Sequence, residues 1–108
     1  MMEVLAVHED KLADMDQQTA ADLAELFRAM SDPSRLRILA ALLEAELNVG
    51  AIAAQVDMSE SAVSHHLRGL RQMRLVRADK QGREVYYQLD DDHVVELFKL
   101  GLEHVQHG

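Results

Sequence analysis

The spacing of apolar residues changes period at Leu75, and that change restricts the fold more than any other feature of this 108-residue chain. Before it, apolar residues recur at three- and four-residue steps, the mark of helices with one buried face. From 76 to 89 they alternate, Val85 and Tyr87 against Tyr86 and Gln88, and from about Asp92 the helical step returns. The pattern predicts a mainly α fold with a small β-hairpin set before the last helix.

Local signals place the elements. A first helix is expected over 19–30, with Ala20, Leu23, Leu26, Phe27 and Met30 along one stripe. It should stop near Ser31, because Asp32 can cap a new helix and Pro33 fits a first helical position, where its missing N–H goes unused. A second helix over 33–45 should bury Leu36, Leu39, Leu42 and Leu43, and a short third over 49–56 should turn Ile52 and Val56 inward. Asp57-Met58 makes a turn, and Ser59 caps a fourth helix whose buried stripe is Val63, Leu67 and Leu70. A hairpin of 76–79 and 84–89 should turn through Lys80-Gln81-Gly82-Arg83, and the last helix should cover 92–106. Residues 1–18 are acidic and weakly periodic, so they read as a flexible arm ahead of one domain over 19–108.

Composition narrows the setting. With 48% hydrophobic residues the chain can build a modest core, more easily if subunits share it. No apolar run approaches the ~18–20 residues that span a bilayer, and no signal-peptide pattern opens the chain, so a cytoplasmic protein is expected. The absence of cysteine excludes disulfides and thiolate chemistry and tilts any metal site toward nitrogen and oxygen donors.

The net charge of −8 reads at first against a nucleic-acid partner, but its distribution does not. Residues 60–84 carry six basic groups against three acidic ones. The fourth helix turns Ser61, Ser64, His65 and Arg68 away from its apolar stripe. A short helix, a tight turn, a polar-faced helix and a basic hairpin form a winged helix-turn-helix pattern. Such a helix fits the major groove of double-stranded DNA, where serine and histidine can meet base edges or phosphates and arginine can pair with guanine. Lys80 and Arg83 at the expected hairpin tip would reach flanking phosphates, and Ser59 at the helix start counts among the DNA-binding residues. The plainer alternative is a helical core whose exposed face happens to be polar.

Three runs carry a family resemblance: Met30-Ser31-Asp32-Pro33-Ser34-Arg35-Leu36-Arg37-Ile38-Leu39, Ser61-Ala62-Val63-Ser64-His65-His66-Leu67, and Gly82-Arg83-Glu84-Val85-Tyr86-Tyr87. Over about residues 19–107 the chain resembles the ArsR/SmtB family of bacterial metal-responsive repressors. The resemblance implies a homodimer joined through its first and last helices, bound to an imperfect inverted repeat until an inducer arrives.

The last helix holds three histidines. At about 100° per residue, the eleven steps from His93 to His104 come within about 20° of whole turns, and His107 lies about 60° away. Leu97 and Leu100 share that face, while Val94, Phe98, Gly101 and Val105 form a second stripe expected to face the rest of the subunit. His93 and His104 are ~16 Å apart along the axis, too far for one ion with ~2 Å bonds. An antiparallel pair of these helices removes the difficulty. Asp91 and His93 of one chain would meet His104 and His107 of the other at each end, with Leu97, Leu100 and Gly101 in the seam.

The resembled family has members with this same arrangement that bind zinc, and sometimes cobalt or nickel, across the interface. The match covers Asp91, His93, His104 and His107, so the resemblance implies Zn2+, with Co2+ or Ni2+ sharing the donors. The family's other, cysteine-based site is absent, since Leu47-Asn48-Val49-Gly50-Ala51 stands there. Each histidine alone is more often structural, and two near a helix C-terminus could simply complement its dipole. A regulator with a non-metal trigger and a merely packed histidine cluster is therefore the alternative reading. Whether His8 in the arm joins a second site is open. Four protein ligands would leave no position for a reactive water, which argues against a hydrolase.

Overall fold

A computed structural model describes residues 15–107. In chain order the elements are α1 (Gln17–Met30), α2 (Pro33–Glu44), β1 (Leu47–Asn48), α3 (Val49–Val56), α4 (Glu60–Gln72), β2 (Val76–Gln81), β3 (Glu84–Leu89) and α5 (Asp92–His107). The element order follows the period changes seen in the sequence, with one strand added. Most of the expected arm, including His8, lies outside the described residues.

Caps explain most boundaries. α1 begins at Gln17, two residues before the expected Thr19, because Asp16 accepts a 2.8 Å hydrogen bond from the Thr19 N–H. That backbone donor holds the Asp16 carboxyl below its ordinary value. Asp32 caps α2 as expected, accepting from Ser34 N at 2.7 Å and Arg35 N at 3.4 Å, with Pro33 at the helix start. Ser59 accepts from Ala62 N at 3.0 Å at the start of α4. Between α3 and α4, Asp57 takes a left-handed conformation (φ 58°), which aspartate tolerates better than most residues. At the far end of α4, Arg74 is also left-handed, while Arg74 N donates to Arg71 O and Leu75 N to Leu70 O. These two bonds make a Schellman motif that turns the chain from helix into strand.

The sheet is antiparallel in the order β1-β3-β2. In the hairpin Lys80 pairs with Val85 and Gln81 with Glu84, so the turn has two residues, Gly82 and Arg83, rather than the expected four. Gly82 alone has positive φ (65°), as in a type II′ turn whose twist suits antiparallel strands. β1 was not expected. Its two residues count as a strand only because Leu47 and Asn48 pair with Tyr87 and Tyr86. Asn48 also caps α3 through Ala51 N and donates to Glu84 Oε1, tying the wing to the helical body.

Ile38 and Leu39 of α2, Ile52 of α3, Val63, Leu67 and Leu70 of α4, and Leu75 and Val76 at the start of the hairpin are fully buried. Leu89, Val94 and Phe98 close one side of this core. Among the described residues no polar or charged residue is buried. The expected stripe of α2 needs one correction: Leu39 and Leu42 are buried and Leu43 partly so, but Leu36 is exposed, and Ile38 and Ala41 are buried instead. α1 buries only Ala29, leaving Leu23 and Phe27 open, Phe27 by half. Leu36 and Phe27 stay open for one reason, a groove between α1 and α5 that no described residue fills.

Candidate nucleic-acid interface and metal-ligating residues

The polar face of α4 follows from where its apolar residues fall. Val63, Leu67 and Leu70 anchor one side in the core, so Ser61, His65 and Arg68 are exposed on the other and Ser64 is half-buried. The Ser59 hydroxyl sits at the N-terminus of that helix, where backbone N–H groups and the dipole favour an anion such as phosphate. In the wing, Arg83 occupies the turn, but Lys80 lies inside the β2 ladder and not at the tip. The two-residue turn draws Lys80 into the pairing, and its side chain stays exposed. Arg77, one of the six basic groups, is engaged structurally, its Nη1 donating to Asp90 O at 2.7 Å.

One residue without an assigned role emerges beside this face. Arg35, in the first turn of α2, donates from Nε to His66 Nδ1 at 3.2 Å and from Nη1 to Ala29 O at 3.3 Å. The partners are 31 residues apart, so no local pattern reports this contact.

On α5, Asp91 Oδ1 accepts from Val94 N at 3.0 Å and lies 3.8 Å from His93 Nδ1. The His93 side chain is 99% exposed, and His104 and His107 are exposed in the last turn. Among the described residues of the single chain, no three His, Asp or Glu side chains come together. Asp91 with His93 at one end of the helix, and His104 with His107 at the other, stand as separate pairs. Leu97 is half-buried, Leu100 is exposed, and a Cβ added at Gly101 would meet nothing within 4 Å.

The second stripe of α5 departs from expectation. Val94 and Phe98 pack inward, but Gly101 is exposed and Val105 is 77% exposed. The helix runs past the edge of the core, and its second half is exposed among the described residues. Leu97, Phe98, Leu102 and Val105 instead border the groove of about 530 Å³ whose opposite wall includes Phe27 and Met30 of α1.

Residues 32–78 match the family model described as bacterial regulatory protein, arsR family. The chain is 49% identical over 92 residues to the transcriptional repressor SmtB homolog of Synechocystis sp., covering 85% of this chain and 70% of that one. The chain belongs to the arsR family. A second family relative, the cadmium resistance transcriptional regulatory protein CadC homolog of Staphylococcus aureus, is 39% identical over 109 residues, covering 96% and 90% of the two chains. The fold agrees with that of the homodimeric winged helix-turn-helix DNA-binding domain of a Mycobacterium bovis protein. That match has a TM-score of 0.77 at 29% identity and covers 85% of this chain and 88% of the other. The chain is thus a winged-helix DNA-binding regulator and not an enzyme. No described helix is long and apolar enough to cross a membrane.

Proposed function

We propose that this arsR-family protein is a metal-responsive transcriptional repressor, with Zn2+ as the inducer, that binds an inverted-repeat operator as a homodimer. Ser61, Ser64, His65 and Arg68 on α4 would meet base edges and phosphates in the major groove. Ser59, Lys80 and Arg83 would hold flanking phosphates. A regulator of bacterial transcription works in the cytoplasm, where its promoter is.

The observation that carries the inducer half is the arrangement of α5. Two pairs of exposed ligands stand at opposite ends of one helix, beside an apolar groove bordered by Phe27 and Val105. Covering that groove with a second copy removes apolar surface from water and lays two α5 helices side by side. Antiparallel packing then brings Asp91 and His93 to His104 and His107 of the partner subunit, one four-ligand set per end. The donors suit Zn2+, with Co2+ and Ni2+ as competitors for the same nitrogen and oxygen atoms. Asp91 keeps one carboxylate oxygen beyond the one that caps Val94, so capping and ligation are compatible. Ligands drawn from two chains tie the two α5 helices together, and the spacing of the two α4 helices changes with them.

A titration of the protein with Zn2+, with and without a duplex taken from the promoter it controls, tests this reading. Zinc should weaken DNA binding, and His104→Ala should lose zinc binding while remaining dimeric. Unchanged DNA affinity at saturating zinc would leave a regulator with another trigger.

A further inference from the structure

We propose that Arg35 is a positioning residue for DNA reading, a clip that sets α4 against the end of α1. The inference rests on the assignment of α4 as the DNA-reading helix. Three elements meet at this guanidinium. Arg35 itself stands on α2, its Nε donates to His66 on α4, and its Nη1 donates to the Ala29 carbonyl at the end of α1. Arginine is always charged and only donates, so His66 Nδ1 must carry the lone pair and the ring proton must sit on Nε2. His66 directly follows His65, and their rings lie edge to face with centroids 5.6 Å apart. The clip therefore ends one residue from a side chain of the reading face.

Gly69 supplies the second observation. It lies three residues after His66 on the same helix, and a Cβ there would sit 2.6 Å from Arg35 Nη2 and 2.9 Å from Cζ. Glycine inside a helix is less favourable than alanine, so its presence here needs a reason. The guanidinium needs that gap. It crosses α4 where the helix has no side chain, and a methyl group there would push it away from its two hydrogen-bond acceptors. Because Ala29 adjoins Met30 and follows Phe27 by two residues, and both border the groove, the clip connects the groove side of the subunit to its reading helix.

Binding of the promoter duplex by the full-length dimer, followed by fluorescence anisotropy, tests the clip. Arg35→Met and Gly69→Ala should each weaken binding by about tenfold, the scale of one lost charge-assisted hydrogen bond. His66→Leu should do the same, while His66→Asn, whose amide oxygen can accept where Nδ1 did, should stay within about threefold of wild type. Gly69→Ala keeps the experiment decisive if Arg35→Met does not fold, because alanine favours the helix. Nitrogen-15 resonances of the His66 ring should report the Nε2-protonated tautomer in the wild type. Wild-type affinity in Gly69→Ala, equal loss in His66→Asn and His66→Leu, or an Nδ1-protonated ring would overturn the clip alone. A wild-type protein that does not bind the duplex would overturn the DNA-reading assignment, and the clip with it.

Discussion

Asp16 shows what a single exposed carboxylate can set. Its hydrogen bond from the Thr19 N–H begins α1 and lowers its own pKa from the ordinary 3.8. A group with a lowered folded-state pKa stabilises above its unfolded value and loses that contribution as pH falls through the folded one. Acidification below about pH 4 should therefore fray the first turn of α1. Carbon-13 secondary shifts of residues 17–20 should move toward coil values in the wild type. In Asp16→Asn, whose amide oxygen still accepts but does not titrate, they should change little. Asp32 and Ser59 act by the same chemistry at α2 and α4, so three helix starts depend on one oxygen each.

At the scale of elements, α5 is divided. Its first half is anchored by Val94 and Phe98, and its second half presents Leu100, Leu102 and Val105 to solvent. Apolar surface of that kind, continuous with Phe27 across the groove, is what a partner subunit covers in the proposed dimer. Val105→Asp should thus leave the far-UV circular dichroism spectrum unchanged, because the core does not include Val105. It should raise the dimer dissociation constant by at least about tenfold in sedimentation equilibrium, since a carboxylate in an apolar seam has no partner. An unchanged constant would place the dimer seam elsewhere. The wing has the opposite character. Its strands are short, and its place depends on Asn48 and on the Arg77 bond to Asp90.

For the whole molecule, the proposed function places the ligands and the reading helices in one symmetric dimer and couples their affinities. Whatever factor zinc takes from DNA binding, DNA must take from zinc binding. Competition of a chromophoric chelator for zinc, with and without saturating duplex, should give the same factor as the DNA titration with and without zinc. Unequal factors would mean that a second metal-binding event contributes.

Much of this protein was legible in its residues because the signals are local. Asp32-Pro33, Ser59 and Gly82 act within a few residues, and a period of 3.6 or 2 needs only a short window. Element order and the polar face of α4 followed from them, as did the place of Asp91 and His93 at one end of α5 and of His104 and His107 at the other, a separation set by helical rise. Contacts between distant segments could not be read this way. β1 exists only because β3 lies beside it, Lys80 joined the ladder through a two-residue turn, and Arg35 meets His66 across 31 positions. Nor could periodicity tell which apolar stripe is covered by the subunit's own core, since Phe98 and Val105 share a stripe and differ only in where the domain ends. A repeating pattern states that a face is apolar; packing in three dimensions decides what lies against it.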